Sequence, residues 1–274
     1  MMNNSSASPH YRFGQRVQPG DIAPYVLVPG SKSRVLRLAG LWDSASLVAE
    51  YHEFLIYTGT LSGIPVSACS TGIGGTSVAI AVQELVELGA HTLIRVGVTG
   101  TLQETVAVGD LTIASAAVRV DRISEFYVPP DLPALASPEI ILALAAACQR
   151  QGYSFHVGVT ATNGTFYCGE GRPGAKGYSQ SFMSTIVDDF TRSGVLDWDT
   201  ETAVLFSLAG WLGIRSGRIN AVLDSPRSSQ SDPQAEERAV RAALQAVQIL
   251  ADWDLRKAGA HQDYLLPDTN PESE

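Results

Sequence analysis

Leu93-Ile-Arg-Val-Gly-Val-Thr-Gly-Thr-Leu102 is the stretch whose reading decides the fold. It predicts a short apolar strand, His91 to Val96, that runs into a glycine-broken loop. One arginine, Arg95, lies inside the apolar run. A guanidinium stays charged and is rarely buried alone, so Arg95 calls for an anion, either a buried Asp or Glu or a ligand. Gly97 and Gly100 would let the backbone approach a ligand closely, and Thr99 and Thr101 add hydroxyls. In an open α/β sheet, ligands bind at the carboxyl ends of strands, where this loop would lie.

The rest of the chain alternates strand and helix around that stretch. Tyr25 to Val28 reads as a strand ending in Pro29-Gly30, after which Ser31-Lys32-Ser33-Arg34 opens an amphipathic helix to about Leu41. Phe54 to Leu61 and Ile64 to Cys69 form a hairpin turned at Ser62-Gly63, and Thr71 to Ser77 leads into a helix over Val78 to Gly89. Further strands are expected at Asp110 to Val120, His156 to Thr162 and Arg218 to Leu223. Helices are expected at 138–151, Thr200 to Trp211 and Gln234 to Lys257, with a long loop from Asn163 to Tyr178. This order predicts a single-domain, three-layer α/β/α fold over residues 11–260, with disordered ends at 1–10 and 261–274.

At 274 residues, 45% hydrophobic and 17% charged, the chain can bury a full core. A net charge of −9 argues against nucleic acid or an anionic membrane as a partner. Cys69, Cys148 and Cys168 show no CxxC pairing and read as free thiols, and no signal-peptide pattern precedes the fold, so a cytoplasmic protein is expected.

Several constellations carry chemistry. Gly30 ends a strand at a helix N-terminus, with Arg34 one turn in; beside Arg95, two guanidiniums suit a shared phosphate. If they lay in separate neighbourhoods, or each were neutralised by its own carboxylate, that reading would fail. The glycines at 72–75 do not have dinucleotide-binding spacing, and Glu84 and Glu87 fall inside the next helix instead of on a second strand. Glu201, with Asp197 and Asp199 before it, is either a helix cap or an acceptor for a sugar diol. Phe166-Tyr167 with Glu170 and Arg172 suits a flat heterocycle or plugs the core. Asp224 at a strand end, with Arg227 and Arg238 following, is catalytic or a turn former. His52, beside Glu53, reads as a structural donor or a ligand.

From about Gly20 to Ala251 these residues resemble the nucleoside phosphorylases of the uridine phosphorylase and hexameric purine nucleoside phosphorylase type. The likeness rests on Val28-Pro-Gly-Ser-Lys-Ser-Arg34, Cys69-Ser-Thr-Gly-Ile-Gly-Gly75, Ile94-Arg-Val-Gly97 with Thr99-Gly100, Gly158-Val-Thr-Ala with Thr165-Phe-Tyr167, and Asp199-Thr-Glu201. Thr165-Phe-Tyr-x-Gly-x-x-Arg172 resembles the uridine branch most. The resemblance implies a mixed, partly barrel-like sheet and reversible phosphorolysis of a uridine-like or modified nucleoside to free base and ribose 1-phosphate. Phosphate would be held by Gly30, Arg34, Arg95 and Thr99, with His52 at the position of a second-subunit arginine. Glu201, Thr200 and a trans-acting His10 (or Arg12) would serve the ribose, and Thr99, Gly100, Phe166, Glu170 and Arg172 the base. Arg95, Glu201, Arg172 and Asp224 would carry catalysis, with Arg238 as a candidate partner of Asp224. The resemblance implies no organic cofactor, a potassium ion at Glu53, Ile73 and Ser77, and a dimer-based homo-oligomer, usually a hexamer.

The departures point to altered chemistry. Glu170 replaces a glutamine, and an ionised carboxylate opposes uracil O2 but suits a base with two adjacent donors, such as guanine. His52 for arginine would make phosphate affinity depend on pH near about 6.5. Val98 costs a hydroxyl, and Thr200 replaces a methionine. These changes keep two alternatives open, a nucleosidase using water and a non-catalytic nucleoside-binding homologue.

Overall fold

The computed structural model describes residue 13 and residues 17–225 and 231–263. His10, Arg12 and Arg227 fall outside them, as does most of the expected tail.

The strands are β1 (Tyr25–Leu27), β2 (Ser44–Tyr51), β3 (Phe54–Leu61), β4 (Ile64–Cys69), β5 (Thr92–Thr101), β6 (Leu111–Val120), β7 (Ala134–Leu135), β8 (Phe155–Asn163), β9 (Asp197–Asp199) and β10 (Arg215–Asp224). Among the described residues the α-helices are α1 (Lys32–Ala39), α2 (Gly75–Glu87), α3 (Pro138–Gln151), α4 (Ile186–Arg192), α5 (Thr202–Leu212) and α6 (Ala235–Ala260). Local chemistry explains most of the boundaries. Ser62 and Gly63 both take positive φ, 51° and 76°, as a two-residue turn matching hairpin twist requires. Pro138 opens α3 where no intrahelical N–H is needed, and left-handed Gly152 closes it.

The strands form one mixed sheet in the order β10-β6-β8-β9-β5-β1-β4-β3-β2, and β10 also pairs with β5. That extra pairing closes β10, β6, β8, β9 and β5 into a five-stranded ring, with β1, β4, β3 and β2 continuing from β5. Alternating side chains face two cores. Leu27, Ile94, Val96 and Ile219 pack with α1, α3 and α6, whereas Val26, Val28 and Leu93 pack with α2 and α5. The three-layer arrangement and the barrel-like closure are thus both present.

Three expectations need correction. The segment after Val96 is not a loop: β5 continues to Thr101 because β10 pairs with it as far as Gly100 and β9 binds Gly100 and Thr101. Gly97 and Gly100 accordingly serve sheet packing, since a Cβ at either would strike Asn220 or Asp224 of neighbouring β10. Asp197 and Asp199 form a strand, β9, instead of simply preceding a helix, because both flanking strands accept them. The polar β2 and short α4 carry no clear periodicity and went unread.

Arg215 ties the start of β10 to α3 and α6 through Glu139 and Asp254, and Lys257 joins both acids. Burial works against ionised Asp254, but hydrogen bonds from Arg215, Tyr25 and Lys257 outweigh it and bring its pKa down to about 2. A depressed carboxyl pKa contributes stability above the unfolded value of about 3.9, and the contribution is lost as pH falls through the folded value. Asp254→Asn should therefore be less stable than the parent at neutral pH. The gap should shrink between about pH 4 and pH 2 in urea titrations; a constant gap would remove the ion pair as its cause.

Candidate active site

A cavity of about 420 Å³ opens at the carboxyl ends of β1, β5, β9 and β10, as expected of ligand sites in such sheets. Gly30 and Arg34 reach it from the β1–α1 junction, where Ser31 caps α1 by accepting from the Arg34 backbone N–H at 3.3 Å. Arg95, Val98, Thr99 and Gly100 reach it from β5, Asp199 and Glu201 from the β9–α5 junction, and Asp224 from β10. Phe166, Glu170 and Arg172 close the far end from the loop after β8. Segments up to about 190 residues apart in the chain thus meet in one concave space of a size suited to a small ligand.

Both arginines line that cavity and so share one neighbourhood, but each also has its own carboxylate partner, the condition named above against a shared phosphate, and Arg95 takes the buried-acid alternative. Arg34 Nη2 lies 2.9 Å from Glu236 on α6, and Nη1 donates to the Val96 carbonyl at 3.3 Å. Arg95 Nη2 donates to Glu201 Oε2, and its Nε stands 3.9 Å from Asp199. The physical reason is that a buried guanidinium cannot be left uncompensated, so it takes the nearest carboxylates. The pairing leaves donors over: Nε of both arginines is buried without a hydrogen-bond partner. Glu236 is 30% exposed and can be released to water when an anion arrives, so the Arg34 pair does not close the site.

Glu201 is the N-cap residue of α5 and not a first-turn residue. Its Oε1 accepts from the Gly74 N–H at 2.6 Å and from Thr200 Oγ1 at 2.5 Å, while Oε2 takes Arg95. The helix is capped instead by Asp199, whose Oδ1 accepts from the Thr202 N–H at 3.1 Å. Glu201 thus accepts from three donors, and a carboxylate with about four acceptor positions has room for one more.

Behind the cavity wall lies a buried arginine that the sequence reading passed over. Arg218 on β10 is in register with Arg95 on β5, so the two project side by side. Arg218 pairs with Asp197 through two contacts of 3.0 Å and stands 3.7 Å from Asp199. Burial opposes ionised Asp199, yet Arg218 and Arg95 together hold its pKa below the usual carboxylate range. The result is a chain of alternating charge, Asp197–Arg218–Asp199–Arg95–Glu201. An arginine inside an apolar strand was the signal that singled out Arg95, and it applied equally to Arg218.

At the far end Arg172 stacks on Phe166, its guanidinium carbon 4.1 Å from the ring centre. Arg172 also approaches Glu170 at 2.8 Å and Asp224 at 3.6 Å. Asp224 thus faces Arg172, and Arg238 is drawn away to Asp232 and the Gly109 carbonyl, so the expected Asp224–Arg238 partnership does not form. The Thr99 hydroxyl donates to the Trp198 carbonyl at 2.7 Å, with its lone pairs left to accept. His52 is exposed in the β2–β3 turn and does not line the cavity of its own chain. Glu53 accepts from Ser77 Oγ at 2.6 Å, and Ile73, 84% exposed, sits at the cavity rim.

The fold, the closed ring and the paired arginines at its carboxyl end agree with the family signal in the sequence. A sequence profile of the Phosphorylase superfamily matches residues 24–252, and the chain belongs to that family. It is 44% identical over 243 residues to a uridine phosphorylase of Thermococcus kodakarensis, covering 89% of this chain and 88% of that one. It is 37% identical over 215 residues to a uridine phosphorylase of Escherichia coli, covering 78% and 85%. A guanosine phosphorylase of Halorubrum lacusprofundi is 32% identical over 246 residues, covering 85% and 97%.

Proposed function

We infer that this chain catalyses reversible phosphorolysis of a nucleoside, with a uracil-type pyrimidine as the base and ribose 1-phosphate as the other product. The observation that carries the reading is the convergence of Arg34, Arg95 and Glu201 on one cavity whose other end holds Phe166 and Arg172. Phosphate binds at the Gly30 turn and at the Arg34 and Arg95 guanidiniums, displacing Glu236 from Arg34. Glu201 exchanges its Arg95 contact for the ribose hydroxyls, which orients the sugar over the phosphate. A phosphate oxygen forms a bond to C1′ as the C1′–N bond breaks. The bonding pair leaves with the base, and positive charge develops on the ribose beside the phosphate dianion. Arg172, with Glu170 and Asp224 nearby, stabilises the departing base and supplies the route for its reprotonation.

The site is completed across a homodimer, with three dimers to a hexamer. The exposed Ile73 and Phe126, at 84% and 86%, belong to surfaces that a second copy would cover. The partner subunit's His52 and His10 would then reach phosphate and ribose. A carboxylate from Glu53, a hydroxyl from Ser77 and the Ile73 carbonyl would supply hard oxygens from each chain to an interfacial potassium ion. Nucleoside and phosphate are the partners, no organic cofactor takes part, and free thiols fit the cytoplasm.

The test is a nucleoside panel run with and without phosphate. Base release that requires phosphate and yields ribose 1-phosphate is expected. Free ribose formed at full rate in phosphate-free buffer would establish water as the nucleophile instead.

A further inference from the structure

The base end of the cavity contains a group whose charge is set by its neighbours. Glu170 is 5% exposed, in a short 3-10 turn of the loop after β8. Arg172 Nη1 lies 2.8 Å from its Oε2, but that nitrogen is buried and not aligned to donate a hydrogen bond. Three carboxylates also act on Glu170, Asp199 from β9, Glu201 from the start of α5 and Asp224 from the end of β10, and Arg95 of β5 is paired with the first two. Near α4, the adjoining Gly171 packs against Ile186, Val187 and the Met183 carbonyl. Asp199 and Glu201 are themselves paired with Arg95, and Asp224 is exposed, so what weighs on Glu170 is its own burial beside one cation that is not aligned to donate to it.

We propose that Glu170 chooses the base through its own protonation, reading uracil as a neutral acid and guanine as a carboxylate. This deepens the phosphorolysis reading and rests on it. Uracil presents an acceptor, O2, beside a donor, N3–H. A carboxylic acid offers one O–H and one C=O, the same donor–acceptor pair as a primary amide, and so satisfies both. Guanine presents two adjacent donors, N1–H and the 2-amino group, which a carboxylate accepts through its two oxygens. The wrong pairing leaves a buried polar group facing its like, which is where discrimination between bases is strongest. Burial first, then the three carboxylates, outweighs Arg172 and lifts the Glu170 pKa to about 7. Both forms are therefore populated at neutral pH, and one site serves two bases in proportions set by acidity.

The experiment measures kcat/KM for uridine and for guanosine between about pH 5.5 and 8.5, in the parent protein and in Glu170→Gln. Taking the ratio of the two cancels the titration of phosphate and of any group acting at C1′. If each base uses one form only, the uridine-to-guanosine ratio falls by about 100-fold from pH 6 to pH 8. In Glu170→Gln the ratio should be flat and favour uridine. A flat ratio in the parent, or the same slope retained in the variant, would overturn the proposal. Should neither nucleoside be turned over, the phosphorolysis reading fails, and the proposal is then read from calorimetric binding of uridine and guanosine over the same pH range. Opposite pH slopes support it, and parallel slopes overturn it.

Discussion

Arg95→Met is expected to lower kcat/KM for phosphate by about 1000-fold, equivalent to about 4 kcal/mol of transition-state stabilisation. Two losses combine. On the proposed reading the cavity loses a cation for the phosphate, and Glu201 and Asp199 lose the cation that pairs with them. Arg95→Lys should recover only part of the activity, because it restores the charge without the planar pair of donors. Arg34→Met should act more gently, about 10-fold and mainly on the KM for phosphate, since its carboxylate partner is partly solvated. Steady-state kinetics with phosphate as the varied substrate separate these outcomes. A change below about 10-fold in Arg95→Met would reduce Arg95 to a structural counter-ion.

Arg218→Met should act first on stability. Its partner Asp197 is fully buried and Arg218 itself is 1% exposed, so removing one charge leaves the other stranded. Breaking such a pair costs about 3–5 kcal/mol, which in a chain of this size lowers Tm by about 10 °C or more. The double variant Asp197→Leu with Arg218→Met should recover much of that loss, because apolar groups of similar volume carry no desolvation penalty. Scanning calorimetry of the parent, both single variants and the double variant forms the required cycle. Activity in the double variant should stay low, since Asp199 would still lack one of the two cations that keep it ionised and aligned with Arg95. Full activity there would show that Arg218 serves stability alone.

The elements legible in the sequence were those whose signal is local. The β3–β4 hairpin was readable because Ser62-Gly63 can adopt the backbone that its turn demands. Helix α3 was readable from Pro138 at one end and Gly152 at the other. The elements that escaped have no such signal. Strand β9 is three residues long and forms only because β5 and β8 are both in place to pair with it. The continuation of β5 past Gly97 depends on β10, whose Asn220 and Asp224 need the space that glycine leaves. The same limit governs the site: Arg34, Arg95, Glu201 and the Phe166 loop could each be identified, but Glu236 and Arg218 could not be joined to them.

The sequence by itself therefore determined which residue types the chain places at its strand ends, and with them the α/β class and the anion-seeking pair of arginines. Only the tertiary structure decided how those charges are matched. Pairing energies depend on distance and on water, and Arg34 with Glu236 or Arg95 with Glu201 are separated by 202 and 106 positions in the chain. It likewise decided the environment of Glu170, whose carboxyl is pushed up first by its own burial and then by the carboxylates of distant segments, neither of which any stretch of sequence shows.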